Sequence, residues 1–120
     1  WSWGLRVRGA GAWGLKASLA WTDPAASLAA EVVLVNDLDL ALVAPDGRHW
    51  PGNNWTGLSA GREYAMWDRL NNHEQVWLEA PAAGEYRVLV RGHHVPAGPQ
   101  CFALVVAGDF EPHAEAPAAW

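Results

Sequence analysis

Val35-Asn36-Asp37-Leu38-Asp39-Leu40-Ala41-Leu42-Val43-Ala44-Pro45-Asp46-Gly47 reads as a β-strand running into a tight turn. Leu38, Leu40 and Leu42 alternate with Asp37, Asp39 and Ala41. Successive strand side chains point to opposite faces, so the leucines share one face and the two aspartates the other. The leucine face is the expected core face. Asp37 and Asp39 then lie about 6–7 Å apart along the strand, where like charges repel unless a cation sits nearby. Pro45-Asp46-Gly47 supplies the turn that ends the strand.

The same alternation recurs on both sides of this stretch. Residues 2–8 alternate weakly, and Trp13, Leu15, Ala17, Leu19 and Trp21 alternate with small or polar residues. These two runs, joined at Gly9-Ala10-Gly11, predict two strands that could pair as a hairpin. Thr22-Asp23-Pro24 breaks the second run, because the residue before proline is pushed out of the α region. Residues 25–34 have helical composition but are too short for an isolated helix, so they predict a crossover with at most one turn. His49 and Trp50 predict a short return strand. Residues 51–72 have no sustained period, and a loop of that length in a compact domain is usually functional or held by something. Val76 and Leu78, then Tyr86, Val88 and Val90, then Phe102, Leu104 and Val106 mark three further strands.

About seven or eight strands with close turn signals and almost no helix predict an all-β protein, an antiparallel β-sandwich. Long crossovers at 22–34 and 51–72 favour Greek-key or jelly-roll connectivity over an up-and-down meander. The sandwich is expected to occupy residues 1–108, with 109–120, rich in proline, alanine and acids, as a tail or linker.

Composition narrows the function. At 120 residues the chain is one domain with room for a core, 51% of it apolar and 18% charged. The net charge is −5 with Lys16 as the one lysine, which argues against a nucleic-acid partner. No run of 18 apolar residues is present, so no membrane-spanning helix is expected. Starting at Trp1 in mid-pattern is what a piece of a longer precursor would show. The single cysteine, Cys101, excludes an internal disulfide and a multi-cysteine zinc site.

Catalytic constellations are absent from the sequence. Ser2, Ser18, Ser27 and Ser59 lie in no Gly-X-Ser-X-Gly elbow. His93 and His94 are neighbours whose side chains diverge, and Cys101 has no histidine partner nearby in sequence. Asp37 and Asp39 resemble a glycosidase carboxylate pair only in number, because a leucine-backed strand entry is not a cleft. Asn54-Trp55-Thr56 matches the glycosylation sequon, a short and unspecific motif.

Two groups of residues remain. Asp37 and Asp39 share a strand face, while Asp68, Asn71, Asn72 and Glu74 end the long loop in a dense run of oxygen donors. Hard oxygen ligands from loops and carboxylates suit calcium, and the alternative is a solvated acidic face with local turn bonds. The nine tryptophans form the second group. Trp21 and Trp77 are expected in the core. Trp50 and Trp55 flank Pro51-Gly52-Asn53-Asn54 and are the best candidates for exposed rings that stack on a carbohydrate or a fibrous protein.

Taken in order, the motifs resemble a known family. Trp21-Thr22-Asp23-Pro24, Leu34-Val35-Asn36-Asp37-Leu38-Asp39-Leu40, Pro45-Asp46-Gly47 and Gly52-Asn53-Asn54 open the series. Asp68-Arg69-Leu70-Asn71-Asn72-His73-Glu74, Pro81-Ala82-Ala83-Gly84-Glu85-Tyr86, Gly98-Pro99-Gln100 and Phe102-Ala103-Leu104-Val105-Val106-Ala107-Gly108 complete it. The series resembles the C-terminal domain of some secreted subtilisin-like serine proteases, similar in outline to the P domain of proprotein convertases. Cys101 and His73 depart from the family pattern. The resemblance implies a secreted, non-catalytic jelly-roll domain that packs on and stabilises the protease domain of the same precursor and helps it bind a protein substrate. It also implies a calcium site drawn from Asp37, Asp39, Asp68, Asn71, Asn72 and Glu74. The alternative is a free-standing module that binds carbohydrate or a fibrous protein through Trp50 and Trp55.

Overall fold

Period-two burial organises the whole molecule. The computed structural model describes residues 1–9, 14–54 and 67–113. It contains eight strands: β1 (Ser2–Val7), β2 (Leu15–Trp21), β3 (Asp37–Val43), β4 (His49–Pro51), β5 (His73–Leu78), β6 (Gly84–His94), β7 (Phe102–Gly108) and β8 (Phe110–Pro112). They form two antiparallel sheets, ordered β4-β3-β6-β1-β8 and β5-β2-β7. The all-β sandwich read from the sequence is what the chain adopts. Among the described residues, no helix is long and apolar enough to cross a membrane.

The core lies between the sheets. Leu5, Leu40, Leu42 and Val88 from the five-stranded sheet are fully buried against Leu15, Ala17 and Leu19 from the three-stranded sheet. Each large aliphatic side chain removed from water stabilises the fold by about 1.5–3 kcal/mol before entropy is counted. Trp21 is buried as expected, and its indole Nε1–H donates to the Asn36 carbonyl at 2.9 Å.

Three expectations are corrected. β1 and β2 do not form a hairpin. They lie in different sheets, β1 between β6 and β8, and β2 between β5 and β7. Among the described strands, only the β3 to β4 connection stays within one sheet, so adjacency in sequence does not predict pairing here. Second, the chain beyond Gly108 is not all tail, since β8 pairs with Leu5–Val7 of β1. Third, Trp77 is 60% exposed. It alternates with Val76 and Leu78, which face the core, so its ring lies on the outer face of β5.

One end of the sandwich is tied together by Asn36. Its side-chain amide donates to the Ala97 carbonyl and to Gln100 Oε1, and its Oδ1 accepts the Ala97 N–H. The Asp23 carboxylate accepts the backbone N–H of Val35 and of Asn36, each at 2.7 Å. Gln100 Nε2 donates to the Thr22 carbonyl at 3.0 Å. The 22–36 crossover therefore needs no secondary structure to be held at β3.

Candidate functional site

The aspartate face of β3 is buried, although it points away from the core. Asp37 is 7% exposed and Asp39 1% exposed. β3 and β6 pair with Asp39 directly opposite Arg91. The Arg91 guanidinium donates from Nε at 3.0 Å and from Nη2 at 2.7 Å to Asp39 Oδ2. The long loop returns over this face and delivers Arg69, whose Nη1 donates to Asp39 Oδ1 and lies 3.4 Å from Asp37. Trp67 closes the group from above, its ring 4.7 Å from the Arg91 guanidinium carbon. A guanidinium over an indole face is attracted by the ring quadrupole. The cation that the paired aspartates require is thus arginine, supplied twice.

Asp68 holds the loop itself. It accepts the Leu70 and Asn71 N–H groups and the side-chain amides of Asn71 and Asn53. Burial raises the Asp68 pKa, but the hydrogen bonds from Asn71, Asn53 and Leu70 outweigh it and hold the carboxyl below its ordinary value. Burial pushes Asp37 the other way, above its ordinary value, with the Arg69 charge only partly offsetting it. Asn72 donates its side-chain amide to the Trp21 carbonyl at 2.9 Å.

Glu74 lies on the inward face of β5. It is fully buried between the sheets. Its Oε2 accepts the Leu40 N–H at 2.7 Å, and its Oε1 has no hydrogen-bond partner. Burial raises its pKa to about 8, with the nearby aspartates adding to the rise and the Leu40 N–H opposing it. A carboxyl with such a pKa suits general acid chemistry, but Glu74 is sealed from solvent and from any substrate. The histidines with side-chain hydrogen bonds, His73 and His113, pair with Gln75 and Glu85 rather than with a serine.

Of the six residues expected to hold calcium, Asp37 and Asp39 meet arginines, Asp68 and Asn71 bond within the loop, Asn72 bonds the Trp21 carbonyl and Glu74 faces the core. Calcium takes six to eight oxygens. Asp37 and Asp39 are engaged by arginine and Asp68 by four N–H donors. Glu74 Oε1 is the one buried side-chain oxygen left without a partner among the described residues. No group of three or more His, Cys, Asp or Glu among them is arranged around a metal position. Asp37, Asp39, Arg69 and Arg91 thus form an internal ion-pair cluster on this face.

Arg69 and Arg91 were not legible as members of this site. Arg69 lies within the loop run that ends in Glu74, and Arg91 shares the register of Asp39 only once β3 and β6 are known to pair. Of the two tryptophans singled out for binding, Trp50 is half-buried against the core and Trp55 lies outside the described residues. Trp50 instead lines a cleft of about 380 Å³ with the exposed Trp77, Tyr86, Pro81 and Arg48.

The chain is similar to three Dictyostelium discoideum proteins named serine protease/ABC transporter B family protein. It is 37% identical to tagB over 95 residues, covering 78% of this chain and 5% of tagB. It is 35% identical to tagA over 92 residues, 74% of this chain and 5% of tagA. With tagD it shares 29% identity over 101 residues, 78% of this chain and 6% of tagD. The chain therefore spans only about one twentieth of the length of the curated relatives it matches. No protein-family model matches it.

Proposed function

We propose that this chain is a non-catalytic accessory domain of a serine protease precursor, packing on the protease domain of the same polypeptide and stabilising it. One observation carries the reading. Most of the β-sandwich aligns with a short segment of proteins named as serine proteases, and its buried Asp39 is engaged by two internal arginines. A domain whose polar groups are consumed in holding its own loop contributes a stable shape rather than a reaction. The precursor is exported, as the subtilisin-like resemblance implies, and the domain assists in binding protein substrate.

The test compares the protease-containing precursor with and without this segment. Deletion should lower the temperature at which protease activity is lost while leaving the triad chemistry of the protease domain intact. An unchanged inactivation temperature would sink the accessory role. A second reading rests on the cleft lined by the half-buried Trp50 and the exposed Trp77, whose aromatic surface suits a sugar ring. Tryptophan fluorescence titrated with soluble polysaccharides tests it. A saturable shift lost in Trp77→Ala would favour that reading, and a flat titration would end it.

A further inference from the structure

The two sheets are unequal, five strands against three. β7 is the edge of the smaller sheet and, among the described residues, pairs with β2 alone. Its inward residues Phe102, Leu104 and Val106 are only half-buried, whereas Leu15, Ala17, Leu19 and Trp21 of neighbouring β2 are at most 5% exposed. The opposing sheet continues past β7. Trp1 meets Phe102 edge to face at 6.1 Å, and Trp3 meets Phe110 of β8 at 5.9 Å. Trp1, Trp3, Leu104 and Val106 line a groove of about 320 Å³ along this side.

Exposed edges are ordinarily protected by lysine, proline, a bulge or a covering loop. Phe102-Ala103-Leu104-Val105-Val106-Ala107-Gly108 has no charge and no proline, and it runs seven residues. Such an edge offers a row of backbone N–H and C=O groups beside an apolar groove, the arrangement used in strand addition. We propose that the β7 edge is the seat of one added strand, an extended uncharged segment with apolar residues at alternate positions.

The occupant is a segment of the same precursor polypeptide, and this part rests on the accessory-domain reading. The relatives are about twenty times longer than the stretch matched here, so ample chain lies outside the domain. Among the described residues, no charged side chain lines the groove, which matches an uncharged strand. A second copy is the competing occupant, and concentration dependence separates the two. The inward side chains of the added strand would lie on Trp1, Trp3 and Phe110 and complete the burial of Leu104 and Val106.

The test is amide hydrogen exchange across Phe102–Gly108, in the 120-residue chain and in the protease-containing precursor. The β7 amides not bonded to β2 should exchange fast in the short chain and about 100-fold slower in the precursor. Leu104→Arg in the precursor should restore fast exchange, and if that variant fails to fold, the comparison of the two unmutated proteins still decides. Equal exchange in both proteins overturns the proposal. So does slow exchange in the short chain, with concentration dependence assigning the edge to a second copy and its absence to a cover within the chain. A lower inactivation temperature on deleting the domain, together with an unprotected β7 edge, keeps the accessory role and removes the strand seat.

Discussion

The Glu74 carboxyl crosses the sandwich from β5 and accepts the Leu40 backbone N–H at 2.7 Å. The reason is the length of β4. Its three residues pair with Ala41, Leu42 and Val43 only, so the next part of β3 has no strand on that side. Glu74 takes the Leu40 N–H, and the Gly52 N–H donates to the Leu40 carbonyl at 2.8 Å. A buried backbone pair that a strand would have satisfied is satisfied by one side chain and one loop amide.

Glu74 makes stability depend on pH. Its carboxyl titrates near 4.5 when unfolded and at about 8 in the fold. Between those values the folded state binds more protons than the unfolded one, so stability falls as pH rises. The contribution is full below about pH 4.5, declines through pH 8 and is level above it, a loss on the order of a few kcal/mol. Asp37 is raised as well and adds in the same direction. Glu74→Gln keeps an acceptor for Leu40 and cannot ionise. Urea melts from pH 4.5 to 8.5 should show the variant gaining on the wild type as pH rises. A constant difference between the two would show that Glu74 does not titrate in this range.

Gly52 is required by the same contact. A Cβ at this position would sit 2.3 Å from Glu74 Oε2 and 2.7 Å from Glu74 Cβ. Neither can retreat, because Glu74 is packed between the sheets. Gly52→Ala should destabilise by about 1–3 kcal/mol, the usual range for overpacking. Combining it with Glu74→Ala should cost less than the two single changes added together. Strict additivity in chemical denaturation would place the strain elsewhere.

Asn36→Ala should be among the most damaging single changes. It strands the Ala97 N–H and carbonyl and Gln100 Oε1 in a half-buried end of the sandwich. Each unsatisfied group costs about 1–3 kcal/mol where water does not reach it. A loss of about 3 kcal/mol is expected, with amide exchange accelerating at Ala97. A loss below about 0.5 kcal/mol would mean that water replaces the side chain without cost.

The sandwich was legible because its strands alternate cleanly. Leu38, Leu40 and Leu42, and Tyr86, Val88 and Val90, announce both their elements and their inward faces. Pairing was not legible. The Gly9-Ala10-Gly11 turn suggests a hairpin, yet β1 and β2 belong to different sheets. Nothing local in either strand records that choice, which is set by which faces the whole chain must bury. The carboxylate cluster was legible in its acids and not in its cations. Asp37 and Asp39 stand two apart in sequence, while Arg69 and Arg91 come from 30 and 52 residues away from Asp39. Glu74 was read as the last oxygen donor of the long loop, whereas β5 already begins at His73 and turns it inward, and the short β4 explains why an acid is tolerated there.

The arginines carry a consequence for metal dependence. Asp37 and Asp39 are engaged by guanidinium groups, and no metal position is built from the described residues. The melting midpoint of the 120-residue chain should therefore be the same in excess calcium and in excess chelator. A ligand that binds only the folded state raises stability by RT ln(1 + [L]/Kd), about 2.7 kcal/mol at one hundred times Kd. A calcium-induced rise of that size would support the ligand set that the resemblance implies.

The Asp39 clamp itself is tested by removing its cations. Asp39 is 1% exposed, whereas Arg91 reaches solvent at its outer edge. Arg91→Ala leaves a buried carboxylate held by Arg69 alone and removes the cation under the Trp67 ring. Breaking a fully buried pair costs about 3–5 kcal/mol, and the partial exposure of Arg91 reduces this to about 2–3. Arg91→Lys should recover little, because both bonds to Oδ2 come from the forked guanidinium. Replacing Asp39 by Asn in the Arg91→Ala background should return part of the loss, since an amide needs no counter-charge. If Asp39→Asn and Arg91→Ala instead add independently in urea melts, the two residues are not coupled, and the burial of Asp39 is sustained by Arg69 alone.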